Sequence, residues 1–404
     1  MNTENAPLWT KNFILVSAIN FQLVLIFYLL VIVIVGYAVA ELHASPAQAG
    51  LVSGLFIVGT LIGRLLVGRF LEKFGQKATL LTGLTGFLLF SGLYFIHFEV
   101  GMLLLVRFAH GFMMGMASTV LGTIIAQILP PARRGEGIGY YSMSSTLGTA
   151  IGPFMAIWLM IHTGYHVIFI ISSFIACCCV ITAQFIKIPE IKKETRQGEN
   201  TDASNITGFI SKFIEKNALP VSLVMLLASI CYSGVLSFIH FYAKEINLIE
   251  SASVFFLMYA IAILISRPFT GPLLDRKGEN IIMYPAFIIM ALGLITLSFA
   301  THATTLLISA ALLGFGYGNI QSVCQTIAIK SANLERMGFA TSTFFIFLDA
   351  GLGFGPYFLG LALNWISFQQ LYLYSAIFTL FCIVVYYVLH GKKAADIRIR
   401  KQPH

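Results

Sequence analysis

The sequence predicts an all-α integral membrane protein with twelve transmembrane helices in two pseudo-symmetric six-helix bundles. Three observations carry that expectation. Of the 404 residues, 58% are hydrophobic and 10% charged, where soluble domains carry about 25% charged residues. Such a chain cannot cover a water-facing surface. Apolar runs of the roughly 20 residues needed to span a bilayer recur six times on each side of one polar break. The second half also repeats landmarks of the first at a constant offset. Together these exclude a soluble enzyme, a disordered chain and a disulfide scaffold.

The runs fall at about 13–40, 47–69, 78–97, 100–128, 137–160 and 164–187, and then at about 218–243, 251–273, 280–300, 303–329, 338–363 and 368–390. The first, Phe13 to Ala40, is far longer than the roughly 7–15 apolar residues of a secretory signal, so it reads as a membrane helix. The break defines three parts: an N-terminal bundle over 1–187, a cytoplasmic linker over 188–217, and a C-terminal bundle with its tail over 218–404. Within the linker, Ile206 to Lys216 has the pattern of a short surface helix.

Orientation follows from where Lys and Arg fall. With the N-terminus cytoplasmic, every basic residue except Lys244 and the intramembrane Arg107 lies in a cytoplasmic loop, tail or helix end, Arg64 and Arg267 included. Both termini are then cytoplasmic. The net charge of +8 therefore reports topology, and no nucleic-acid partner is expected. The six cysteines all sit inside apolar runs and read as small buried hydrophobes. No metal site is expected of them, nor of His162 and His166, which fall in a short outer turn. No nucleotide-binding loop, His-Glu-x-x-His or nucleophile elbow is present, so no enzyme is expected.

The internal repeat is specific. Arg64, Gly68, Glu72, Lys73 and Gly75 fall on Arg267, Gly271, Asp275, Arg276 and Gly278. The same offset takes Gly111 and Gly115 onto Gly314 and Gly318, Arg133 onto Arg336, and Gly148, Gly152 and Pro153 onto Gly351, Gly355 and Pro356. Glycines four apart let a neighbouring helix approach closely, and a proline inside a helix bends it. The fifth and eleventh spans therefore carry a hinge at Gly148, Gly152, Pro153 and at Gly351, Gly355, Pro356.

Charges inside the membrane are costly and usually functional. Asp349 lies about 17 Å into the eleventh span at 1.5 Å per residue, and it is the acid placed deepest in any span. Its repeat mate is Thr146, so symmetry does not demand a carboxylate there. It is the first candidate for binding protons or substrate. Arg107, roughly 10 Å deep in the fourth span, and His110 one turn on are the next, with Glu41 and His240 near outer helix ends as weaker candidates. Polar side chains expected to line a central cavity are Asn20, Gln22, Tyr140, Tyr141, Ser144, Tyr232, Asn319, Gln321 and Gln325.

The segment Gly68 to Lys77 resembles the signature loop that joins the second and third helices in the major facilitator superfamily. The resemblance extends over the whole chain: twelve spans, a central loop and a half-length repeat. It implies the major facilitator fold and a cytoplasmic gating latch made by Gly68, Glu72, Lys73, Gly75 and Lys77 and by Arg267, Gly271, Asp275, Arg276 and Gly278. Glu72 stands where Asp is usual. Arg107 matches a fourth-helix motif associated with proton coupling, with His110 in place of the common glutamine. Gly148 to Pro153 resembles the antiporter motif, although Ala156 is followed by Ile157 rather than a second small residue. The stretches around Tyr140–Tyr141 and from Asp349 to Pro356 look like bacterial exporters of the drug-proton antiporter branch. That likeness implies proton-coupled efflux of a small organic molecule (drug, metabolite or metal chelator) by alternating access, in a monomer of the bacterial inner membrane. Small molecule, protons and bilayer are its partners; the proton gradient drives it and no cofactor is needed. The same scaffold run the other way would import a metabolite.

Overall fold

The computed structural model describes residues 7–44, 46–96, 99–188 and 214–394. Most of the central linker and the last ten residues lie outside them, including residues 206–213 of the expected surface helix and much of the 188–217 boundary. Every regular element among the described residues is helical.

The first helix, α1, is Lys11–Ala40. A single helical run, Pro46–Leu93, follows, in which Gly75 adopts φ 76° and ψ 172°. L-residues with a Cβ rarely take such a left-handed φ, so the run is two helices, α2 (46–74) and α3 (76–93). Its apolar part, Gly54–Leu93, has 40 residues, about 60 Å at 1.5 Å per residue, twice the thickness of a hydrocarbon core. The others are α4 Val100–Ile128, α5 Arg134–His162, α6 Tyr165–Gln184, α7 Leu219–Glu245, α8 Ile249–Lys277, α9 Asn280–Ser298, α10 Ala303–Lys330, α11 Met337–Ala362 and α12 Phe368–Tyr386. Gly278, the repeat mate of Gly75, ends α8 with nearly the same geometry, φ 80° and ψ 173°. The chain is a multi-pass membrane protein, and each run read from hydropathy is a helix.

Buried apolar side chains form two cores. One draws on residues from Leu8 to Ile186, with Ile329 and Met337 joining it; the other runs from Ala218 to Tyr386. Within each core the packing follows the repeat. A Cβ added at Gly111 or Gly115 of α4 would lie 2.0 Å from the Phe56 carbonyl oxygen or 2.2 Å from that of Thr60 on α2. Of their mates on α10, Gly314 meets the α8 backbone the same way, against the Tyr259 carbonyl oxygen at 2.4 Å, and Gly318 faces the Ile263 side chain at 2.5 Å. Backbone cannot yield as a side chain does. Gly115→Leu is therefore expected to cost about 3 kcal/mol or more, seen as loss of the monodisperse peak of a fluorescent fusion in size-exclusion chromatography.

The hinge glycines play the same part for the pairs α1–α5 and α7–α11. Gly148 and Gly152 are covered by Val24, Leu25 and Tyr28, and Gly351 and Gly355 by Leu226, Ser229, Ile230 and Ser233. Exposed Trp9 lies at the end of the molecule that carries the basic loops, and exposed Trp158 and Trp365 lie toward the other, as expected of interfacial anchors.

Lys77 departs from the gating role expected for it. Its ammonium donates to the carbonyl oxygens of Ala183 (2.5 Å), Gln184 (2.9 Å) and Ile186 (3.0 Å). It caps the end of α6 within its own bundle, a favourable place for a cation. Its mate in the repeat, Asn280, does the same work in the other bundle, donating to the Gly391 carbonyl oxygen at 2.9 Å.

Candidate functional site

A cavity of about 520 Å³ lies between the bundles, within the size range of small-molecule sites. Its wall takes Val24, Phe27 and Tyr28 from α1, Phe56, Thr60 and Arg64 from α2, Thr146 and Pro153 from α5, and Tyr232 from α7. Tyr259 of α8, Tyr317 and Gln321 of α10, and Asp349 and Pro356 of α11 are also part of it. The lining of α1 starts at Val24 and that of α5 at Ser145, each near the midpoint of its helix, and runs away from the basic loops past Tyr28 and to Pro153. The cavity thus starts at mid-depth and extends toward the other end.

At the basic end the two bundles are shut against each other. Asp275, at the end of α8, accepts the backbone N–H groups of Gly135 and Glu136 at 2.9 Å each, at the start of α5. It also pairs with Lys330 at 3.0 Å. A carboxylate at a helix N-terminus meets unpaired N–H groups and the positive end of the helix dipole. Gly271 faces the Glu136 backbone, and Gly68 faces the Phe339 ring, each too closely for a Cβ. Of the expected latch, the second copy thus makes the interbundle contact through Asp275 and Gly271, with Gly68 adding one from the first. Glu72, Lys73 and Arg276 are exposed, and Lys73 stands over the Phe74 ring.

The centre of the site is an ion pair across the bundles. Arg64 Nε lies 2.8 Å from Asp349 Oδ2, and the guanidinium rests 4.4 Å above the Phe345 ring. Arg64 is 7% exposed and Asp349 18%, so the carboxylate is within reach of the cavity. Arg64 Nε and Nη1 are both buried with no hydrogen-bond partner among the described residues, Nε having only the ion pair. Sequence reasoning placed Arg64 and Arg267 at cytoplasmic helix ends. The structure corrects this: both are buried inside helices, well before the turns at Gly75 and Gly278. Arg267 donates to the Gly318 carbonyl oxygen at 2.9 Å and to the Ser322 hydroxyl, with Asn319 Oδ1 at 3.5 Å, so it braces its own bundle rather than gating. The signal was available, since Arg64 lies a full turn before Gly68, deeper than a loop residue should.

Arg107 and His110 do not meet Asp349. Arg107 is fully buried; its Nε donates to the Val52 carbonyl oxygen at 3.1 Å and its Nη1 to the Tyr94 hydroxyl at 3.2 Å. Phe56 stands on the cavity wall with the guanidinium 4.4 Å behind its ring. His110 is held by the Tyr94 hydroxyl at 2.8 Å and the Ser91 hydroxyl at 3.2 Å. This is a polar cluster inside the first bundle, screened from the cavity by one aromatic ring. Glu41 caps the exposed end of α1, away from the pair. His240 belongs to α7, and its side chain lies outside the described residues.

Of the polar side chains expected on the cavity wall, Tyr232 and Gln321 are on it. The others turn elsewhere. Asn20 donates to the hydroxyls of Ser144 and Ser145 at 2.8 and 2.7 Å, which ties α1 to α5. Gln22 accepts from the Cys179 thiol. Tyr140 packs on Trp9 at the basic end. Tyr141 and Gln325 are buried, and Asn319 faces Arg267. These positions lie on the right helices but on faces that pack between helices, or at depths where the bundles have closed. Tyr232 instead heads an aromatic stack that was not anticipated, with Tyr317 at 4.0 Å and Tyr259 at 5.4 Å between ring centroids.

One further pair fastens the basic end. His390, in a single wide turn after α12, bonds to Glu279 in the α8–α9 loop at 2.9 Å. That hydrogen bond, against an opposing effect of burial, holds the Glu279 carboxyl below its ordinary range, and Lys330 adds to the attraction. A depressed carboxyl stabilises the fold above its unfolded pKa and loses that effect as pH falls through the folded one. Glu279→Gln is expected to cost up to about 1 kcal/mol near neutral pH. Thermal melts in detergent should show the difference from wild type vanishing in acid.

The family model for the Major Facilitator Superfamily matches residues 15–304 and 249–403. The chain belongs to the major facilitator superfamily. It is therefore a transporter of small molecules and not an enzyme. Among major facilitator relatives, an uncharacterised MFS-type transporter of Methanocaldococcus jannaschii is 25% identical over 352 residues, 86% of this chain and 90% of that protein. The staphylopine export protein of Staphylococcus aureus is 22% identical over 353 residues, 82% of this chain and 85% of that protein. Among solved structures, the major facilitator transporter FucP in its outward conformation aligns over 98% of this chain and all of its own, with TM-score 0.72 and 16% identity. That likeness is one of fold.

Proposed function

We propose that this transporter exports a small organic molecule in exchange for protons, by alternating access, across a bacterial cytoplasmic membrane with both termini inside. The Arg64–Asp349 pair carries the proposal. With Asp349 ionised, the pair ties α2 of one bundle to α11 of the other. A proton on Asp349 removes that attraction while Arg64 stays charged. Breaking one partner of a buried pair is worth about 3–5 kcal/mol, enough to invert a two-state population. The proton gradient would then drive the cycle with no cofactor, in a single chain.

Export rather than import is supported by the staphylopine exporter among the relatives and by the antiporter-like Gly148 to Pro153 segment, whose proline lines the cavity. With the basic loops inside, the cavity faces outward and the Asp275 latch is the closed inner gate. Comparing small molecules inside and outside cells with and without the protein tests the direction. A compound retained by cells lacking the protein, and missing from their medium, is the expected result. Failure of such cells to take up a nutrient would show import instead.

A further inference from the structure

Taking the Arg64–Asp349 pair as the centre of the transport site, which is the reading proposed above, we infer that the transported molecule is a zwitterion. One molecule carries a carboxylate that replaces Asp349 at Arg64, an ammonium or protonated amine that replaces Arg64 at Asp349, and an apolar or aromatic body. The argument is one of charge. Arg64 is 93% buried at its side chain and Asp349 82%, as their exposures of 7% and 18% give. Each is the other's counter-charge, and a buried charge left unpaired is strongly unfavourable.

A simple cation bound at Asp349 would pull that carboxylate from Arg64 and set two positive charges side by side. A simple anion bound at Arg64 would strand Asp349 in the same way, and a neutral molecule has nothing with which to open the pair. A molecule bearing both signs enters between the partners and satisfies both. When it leaves, the pair closes on itself. The spare donor at Arg64 Nη1, buried and without a partner among the described residues, fits the two-pronged grip that a guanidinium takes on a carboxylate. The stacked Tyr232, Tyr259 and Tyr317 present aromatic surface suited to a cation. Phe27 and Phe56 on the opposite wall receive an apolar body.

Three probes with one apolar body test this by binding alone, independently of any transport assay: 4-phenylphenylalanine, its methyl ester (a cation) and its N-acetyl derivative (an anion). Thermal stabilisation of the purified full-length protein is measured against each. The free amino acid should bind about tenfold or more tightly than either derivative, since each derivative leaves one buried charge unpaired. Arg64→Gln should turn the preference toward the ester, and Asp349→Asn toward the N-acetyl form. The wild-type comparison stands even if one variant folds poorly. Stabilisation by the ester equal to that by the amino acid, or no stabilisation by the amino acid, overturns the inference. A preference for the ester would leave proton-coupled export standing with a cationic substrate.

Discussion

Asp349→Asn abolishes gradient-driven transport, with an expected loss of at least about a hundredfold, while the protein still inserts and stays folded. The amide is nearly isosteric but cannot exchange a proton, so the ionic tie between α2 and α11 can no longer be switched. It also leaves Arg64, two of whose nitrogens already lack a hydrogen-bond partner among the described residues, without its counter-charge, which should lower stability by about 3–5 kcal/mol. The two effects are separable. The double variant Arg64→Gln with Asp349→Asn removes both charges and should recover most of the stability but none of the coupling, a non-additivity expected of directly paired residues. Flux in everted vesicles and thermal melts of the same preparations check both. Near-normal gradient-driven flux in Asp349→Asn would remove this residue from the mechanism.

The second large effect is expected at the closed gate. Asp275 accepts two backbone N–H groups from the start of α5 and pairs with Lys330. Hydrogen bonds to a charged group contribute about 1.5–3 kcal/mol each. Asp275→Ala should therefore shift the balance between the two cavity orientations by about a hundredfold or more toward the one open at the basic end. Spin labels at exposed Val39 on α1 and Phe241 on α7, near the other end of the molecule, report the change. The distance between them should shorten in the variant. An unchanged distance distribution would mean that other contacts hold the gate.

Much of the fold was legible because hydropathy and repetition are both written along the chain. Gly75 and Gly278 marked the same sharp turn in each half. Gly111 and Gly115 marked the close crossing of α4 on α2. Asp349 stood out because an acid deep in an apolar run is too costly to be incidental. The rest depended on direction rather than on identity. A helix that is apolar all round carries little information about which face it turns to the centre, so Asn20, Gln22 and Tyr141 were placed on the cavity wall when they pack between helices. Arg107 was the next candidate because a charge in an apolar run is costly, but its bonds to Val52 and Tyr94 and the Phe56 ring in front of it hold it inside the first bundle. Arg64 was hidden in plain view, because it precedes a loop motif rich in bases and was counted with them.

The central claim is that a proton and the transported molecule move in exchange through the site that Arg64 and Asp349 form. Its most direct test is uptake of the exported compound into everted vesicles bearing the wild-type protein, with the proton gradient intact and then collapsed by an ionophore. The account predicts accumulation that depends on the gradient and is lost when it collapses. An uptake rate and extent unchanged by the ionophore, and independent of pH, would contradict it.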